Sequence, residues 1–410
     1  MKRYLSLSVL VATLGLVTFL ESCGKVSITK PETSQAEKTA KTQPISGLET
    51  AIKSAPEEEK EIDPLAEFDL VKSAHLTNNA KLLAGIKVKE NKSFADRIQQ
   101  AGYWLNHHNT LENSWAKLEA RQLSKIRKWA TTELTEVHSE SHDVFYPFSG
   151  PDFLYAYNLF PNAKKYVLVG LEPVGKLPDL TANSGISNNQ KLQKARSSLY
   201  AILQWSFFRT NDMKVDMAKQ GNLPIVALFM ARTNNRILDV EYISLDNEGK
   251  VQKEGQGSIS GVKVDFVPEG KKEPKTLYYF SADLSNYGLQ QRPQLKQFVK
   301  QELHQPITYL KAASYLMYYN SFSEIKNLIL SQSSKLLQDD SGMPLSSFDR
   351  SKWNLSFYGN YTQPIALFSN RYQPELRKIY QIDKSIKPLD FGIGYKFKVN
   401  QSNLMLADVK

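Results

Sequence analysis

The stretch VFYPFSGPDFLYAYNLFPNAKKYVLVGL, residues 144–171, decides how this chain folds. Val144 to Tyr146 is a short apolar run, and Pro147, Ser149 and Gly150 follow it as turn signals. Pro151 suits the first turn of a helix, where its missing amide costs nothing. Asp152 suits the positive end of the same helix. Phe153 to Phe160 predicts that helix, and Pro161 with Asn162 ends it. Tyr166 to Leu171 is apolar again and predicts a second buried strand. A strand, helix and strand in so short a span predict a parallel pair joined by a right-handed crossover. The fold class is therefore α/β.

Downstream, residues 187 to 209 predict another helix, with Leu192, Leu199, Ile202, Leu203 and Phe207 on its apolar side. Ile225 to Thr233 and Arg236 to Leu245 flank Asn234 and Asn235, which reads as a tight hairpin because Asn tolerates positive φ. Asp246, Asn247, Glu248 and Gly249 form a second turn, and Val262 to Val267 and Thr276 to Ala282 are further strands. These segments predict an antiparallel meander added to the parallel unit, giving a mixed sheet. Leu295 to Leu337 reads as mostly helical, broken at Pro306. The tail from Trp353 mixes short aromatic segments with a helix around Pro374 to Tyr380.

Upstream, residues 65 to 137 read as a helical flank with apolar positions three and four apart; Asn113 and Ser114 offer a second helix start inside it. Leu111, Trp115, Leu118, Ile126 and Trp129 form its clearest apolar face. Lys117, Arg121, Lys125 and Lys128 lie opposite and read as a solvated face. No break in composition divides residues 65 to 410, so one mixed α/β domain with flanking helices is expected.

In open parallel sheets ligands bind at the carboxyl ends of strands. That rule selects Ser149, Gly150 and Asp152 after the first strand and Glu172 after the second. Glu172 lies about where a dinucleotide fold places its ribose-binding acid. The phosphate-binding fingerprint is poor, with one glycine instead of three and a carboxylate where a phosphate would sit. A cationic or hydroxyl-rich ligand fits better than a nucleotide, and no cofactor is expected. Ser149 as a nucleophile would need small residues two before and two after it; those positions are Pro147 and Pro151, so a turn serine capping the helix is the reading.

His138, Glu140, His142 and Asp143 have metal-ligand chemistry, and alternation would put the first three on one side of an extended segment. The serines between them point to a solvated loop, and no metal is assigned. Asp339, Asp340, Ser341 and Gly342 read as an acidic turn. Phe391 to Tyr395 reads as a strand or bend where glycines permit close backbone approach. Trp353, Phe357, Tyr358 and Tyr361 are read as core rather than as a sugar-stacking surface.

The amino terminus locates the protein. Met1, Lys2 and Arg3 precede an uncharged apolar stretch from Tyr4 to Leu20, and Leu20, Glu21, Ser22 and Cys23 follow. Cys23 is the single cysteine of 410 residues. The pattern resembles the signal peptide and lipobox of bacterial lipoproteins. Glu21 departs from it, since a charge so near the processing site is unusual. The resemblance implies removal of residues 1–22 and lipidation of Cys23. Gly24, not Asp, follows the cysteine, which implies an outer-membrane anchor facing the periplasm. Residues 23 to 64 are polar, charged and almost free of aromatics, so they predict a disordered tether spanning roughly 35 Å.

The net charge is +10, nearly all of it carried by the globular part. Outside the cytoplasm, an anionic envelope polymer or envelope protein is the expected partner, together with the membrane itself, and nucleic acid is not. Free NAD, ATP and S-adenosylmethionine are not expected there either. With no nucleophile, base and orienting group in one cluster, a binding or structural module is the expectation. The alternative is a periplasmic hydrolase, metal-assisted at His138 and His142.

Overall fold

The computed structural model describes residues 63–89, 92–181, 187–208 and 221–410. The stretch read as a signal peptide, Cys23 and nearly all of the expected tether lie outside the described residues. Residues Glu61–Lys410 form one compact unit. Among the described residues no helix is long and apolar enough to cross a membrane.

Ten strands form one mixed sheet. In chain order they are β1 (Asp143–Tyr146), β2 (Lys165–Gly170), β3 (Asn235–Leu245), β4 (Val251–Lys253), β5 (Ile259–Pro268), β6 (Lys275–Ser281), β7 (Ile307–Leu310), β8 (Lys335–Gln338), β9 (Trp353–Gly359) and β10 (Asn403–Val409). Across the sheet they run β4-β3-β5-β6-β2-β1-β7-β8-β10-β9. The five central strands, β6-β2-β1-β7-β8, are mutually parallel. Numbered among themselves along the chain, they stand in the order 3-2-1-4-5, that of the doubly wound nucleotide-binding folds. The meander β3, β5, β6 extends one side of this core, and β10 returns antiparallel between β8 and β9 on the other.

The helices follow the same alternation that the sequence shows along β1 and β2. Val144, Tyr146, Tyr166 and Leu168 face one hydrophobic core, while Phe145, Val167 and Val169 face the other. Helices α1 (Leu70–Leu83), α2 (Lys92–Gln100), α3 (Gly102–Leu118), α4 (Ser124–Glu133), α5 (Thr135–Ser139), α6 (Phe153–Leu159), α7 (Asn188–Trp205) and α8 (Leu223–Arg232) contribute to the first core. Helices α9 (Asn286–Gln291), α10 (Gln294–Glu302), α11 (Ser323–Gln332) and α12 (Pro374–Ile382) contribute to the second. The result is three layers, helices on both faces of a sheet.

Several elements depart from the sequence reading. The expected first arm of the Asn-Asn hairpin is helix α8. Every residue from Leu223 to Ala231 is buried, so its apolar run carries no period that separates helix from strand. Pro224 sits in its first turn, and Asn234, with φ 57°, turns the chain into β3. The hairpin is instead β3–β4, closed by Asp246, whose carboxylate accepts the amides of Glu248 and Lys250. The segment 295–337 holds two strands, β7 and β8, each four residues long and too short for alternation to show. Helix α3 runs through Asn113 and Ser114 without a break. The basic stripe is not wholly solvated, because Arg121 donates to the Leu203 carbonyl and Lys125 to that of Asp390. Trp353, Tyr358 and Tyr361 are buried in the core.

Candidate functional site

Four of the central strands end at one cavity of about 260 Å³. Its walls come from the loop after β1 (Phe148 to Gly150), the end of β2 (Val169 to Glu172), the segment after β6 (Ala282 to Leu284) and that after β7 (Lys311 to Ser314). Phe207 and Phe208 after α7, with Phe322 and Tyr395, close the remaining sides. Ser149, Gly150, Asp152 and Glu172 all line it. The parallel order reverses direction about β1, so a crevice opens where the connections to β2 and β7 leave on opposite faces.

The four residues are not equivalent. Asp152 caps α6 by accepting the Tyr155 amide at 3.3 Å and also accepts the Tyr146 hydroxyl at 2.9 Å. Its Oδ2 lies 2.6 Å from Lys311 Nζ, and both side chains are 3 % exposed or less. Lys311 in turn donates to the Ser206 carbonyl at 2.6 Å and rests 3.7 Å from the centre of the Tyr155 ring. Burial pushes the Asp152 carboxyl up and the Lys311 ammonium down, each opposed by the charge of the other. The charge of Asp152 is thus answered from within the protein. The sequence offered no sign of this, because Lys311 lies in a stretch read as helix.

Ser149 is fixed by β2: its hydroxyl accepts the Val169 amide at 3.1 Å and donates to the Gly150 carbonyl at 3.1 Å. It stitches the first loop to the second strand, whereas the helix cap is Asp152. Glu172 is half-buried and enters no ion pair among the described residues. Burial raises its carboxyl above the usual range, opposed by hydrogen bonds from its own backbone, the Asn222 side chain and the Leu171 backbone. At Gly170 a Cβ would sit 2.7 Å from a Glu172 carboxylate oxygen and 2.9 Å from the Tyr279 hydroxyl, so glycine there leaves room for the acid.

Backbone strain collects around the same cavity. Phe148, Ala312, Ser314 and Tyr315 all have φ between 51° and 61°, conformations that side-chain-bearing residues rarely hold. The loop 312–315 is kept there by Asp339, which accepts the Ala312 amide at 3.0 Å, and by Ser341, which accepts the Ala313 amide at 2.8 Å. The Tyr315 amide donates to the Ser341 carbonyl, and the Tyr395 hydroxyl to the Ala312 carbonyl. The acidic turn is buried, with Asp339 5 % and Asp340 7 % exposed. Asp340 accepts the Tyr315 hydroxyl at 2.5 Å and the Asn403 amide at 2.8 Å. Burial, with the charge of Asp340 adding to it, pushes Asp339 up to about 6. A Cβ at Gly394 would collide with the Asp339 carboxylate, so glycine there leaves it room.

The histidine cluster is dispersed. His138 lies in helix α5, not in an extended segment, and its Nε2 meets the Leu159 carbonyl at 2.8 Å. His142 Nε2 faces Glu140 at 3.5 Å. Among the described residues no group of three or more His, Cys, Asp or Glu is placed to hold a metal ion. The chain matches no protein-family model and no curated protein.

Proposed function

We propose that this protein is a ligand-binding module of the cell envelope, tethered through a lipid on Cys23, and that the cavity at the strand ends takes a small hydroxyl-rich or cationic molecule against Glu172. The observation that carries the reading is the contrast between the two acids of the cavity. Asp152 is neutralised by Lys311, whereas Glu172 enters no ion pair among the described residues and is pushed up by burial. Such a carboxyl, held by hydrogen bonds but by no described cation, accepts a ligand hydroxyl or ammonium in addition. Among the described residues the cation in the wall, Lys311, is already paired with Asp152, which disfavours a phosphate. The aromatic walls from Phe148, Phe207, Phe208 and Phe322 suit a ligand with an apolar or flat body.

A second reading is favoured by the 3-2-1-4-5 order of the parallel strands, with Glu172 at the end of the second of them. In this order the acid at that position accepts ribose hydroxyls, and the ligand would be a nucleoside-type molecule. The hydrolase alternative is weaker. His138 meets the Leu159 carbonyl and His142 faces Glu140, and among the described residues no histidine or carboxylate is bonded to the Ser149 hydroxyl.

A thermal-shift and calorimetric screen separates the readings, with polyols, alkylammonium ions, adenosine, NAD and S-adenosylmethionine as probes. Binding of any polyol or organic cation that is lost in Glu172→Gln supports the first reading, and adenosine-containing probes alone support the second. Binding that Glu172→Gln leaves unchanged overturns both.

A further inference from the structure

Much of the net charge of the chain falls in one segment of the sequence. Residues 350 to 398 hold nine Lys and Arg against three Asp and Glu, which is +6 of the net +10. Among the described residues only Lys387 of these nine cations pairs closely with a carboxylate, that of Glu133. Within this segment the chain between β9 and α12 forms an open groove of about 520 Å³, lined by Thr362, Gln363, Pro364, Ala366, Ser369 and Tyr372.

The groove is lined by an aromatic ring and polar side chains, and three cations attach beside it: Lys396 on Gln363, Arg377 on Tyr361, and Arg371 next to Tyr372 in the chain. Tyr372 is 46 % exposed and stacks at 14° on the buried Tyr361 beneath it, so its ring is held flat by the core. Thr362, Gln363 and Ser369 offer hydroxyls and an amide. The cations are fixed rather than waving: Arg371 lies 4.0 Å from the centre of the half-exposed Tyr319 ring, and Arg377 donates to the Tyr361 carbonyl at 2.9 Å. Lys396 donates to the Gln363 carbonyl and sits 4.9 Å from the Tyr361 ring centre. Glu375 is the single acid between residues 360 and 382.

We propose that this groove docks an acidic glycan, with a sugar face stacked on Tyr372 and its carboxylates met by Arg371, Arg377 and Lys396. A flat, rigid ring beside small hydroxyl-bearing side chains matches the face and edge of a sugar. Preorganised cations with free N–H donors match carboxylates placed along a polymer. A neutral glycan would gain nothing from the cations, and a lipid surface would gain nothing from a recessed groove edged by hydroxyls. The groove and the cavity at the strand ends share no lining residue.

The test is binding of the full-length protein to polygalacturonate, with neutral dextran and anionic phosphatidylglycerol vesicles as comparisons. Polygalacturonate should bind, and more weakly as salt rises. Tyr372→Ala should weaken it roughly five- to tenfold and Arg371→Gln about threefold, with Arg371→Lys in between, because lysine keeps the charge but not the guanidinium stacked on Tyr319. If Tyr372→Ala does not fold, the Gln and Lys variants at 371 decide alone. Equal binding of dextran, indifference to these substitutions, or vesicles binding with the same sensitivity would each overturn the proposal.

Discussion

Replacing Lys311 by Met removes the cation under the cavity and leaves three groups without it. Asp152, 2 % exposed, keeps the Tyr146 hydroxyl and the Tyr155 amide but loses its 2.6 Å ion pair. The Ser206 carbonyl loses its donor, and the Tyr155 ring loses the ammonium above it. Breaking a buried pair from one side costs about 3–5 kcal/mol, because the remaining charge stays buried and unanswered. Methionine fills nearly the same volume and packs well on a ring, so little of the loss is a packing term. Adding Asp152→Asn removes the stranded charge and should restore stability to within about 2 kcal/mol of wild type, the rest being the unmet Ser206 carbonyl.

The pH dependence has a definite sign. Without Lys311 the folded Asp152 carboxyl rises further above its unfolded value, so the native state binds the extra proton. Its stability is retained at low pH and lost as pH rises. Urea unfolding of wild type, the single and the double variant at pH 5 and pH 8 measures all of this. The single variant should lose more at pH 8 than at pH 5. A loss under about 1 kcal/mol, or a double variant no more stable than the single one, would refute the view that the pair neutralises itself inside the fold.

Asp339 should show a similar linkage. Its folded value, about 6, exceeds the ordinary carboxyl value of 3.8, so its stabilising contribution is full below the latter and is lost as pH rises through the former. Asp339→Asn should remove up to about one proton from the slope of stability against pH between those values, measured by denaturant titration; an unchanged slope assigns the proton elsewhere. At the amino terminus, cells fed a clickable fatty acid should label the wild type and not Cys23→Ser, and label on the variant would end the lipid-anchor reading.

The local signals in the sequence determined the parallel unit and where its strands end. Pro151 and Asp152 announced α6, the apolar runs on either side announced β1 and β2, and the rule of carboxyl ends then pointed to Ser149, Gly150, Asp152 and Glu172. All four line one cavity because they sit on adjacent strands, a consequence of a short crossover. What the tertiary structure alone decided is how those residues differ. The ion pair between Asp152 and Lys311 joins positions far apart in the chain, and no local pattern records such a pairing. Nor did the chain show that β7 inserts beside β1 and brings Lys311 to the cavity, since four buried residues carry no period. Asp339 to Gly342 read as an acidic turn, and nothing in so short a polar run says whether it faces water or the core. Only packing against Tyr315, Tyr395 and Gly394 turns it into the clamp on a strained loop. Periodicity reports which face of an element is buried; it is silent on what meets that face, and the chemistry of this cavity is made by what meets.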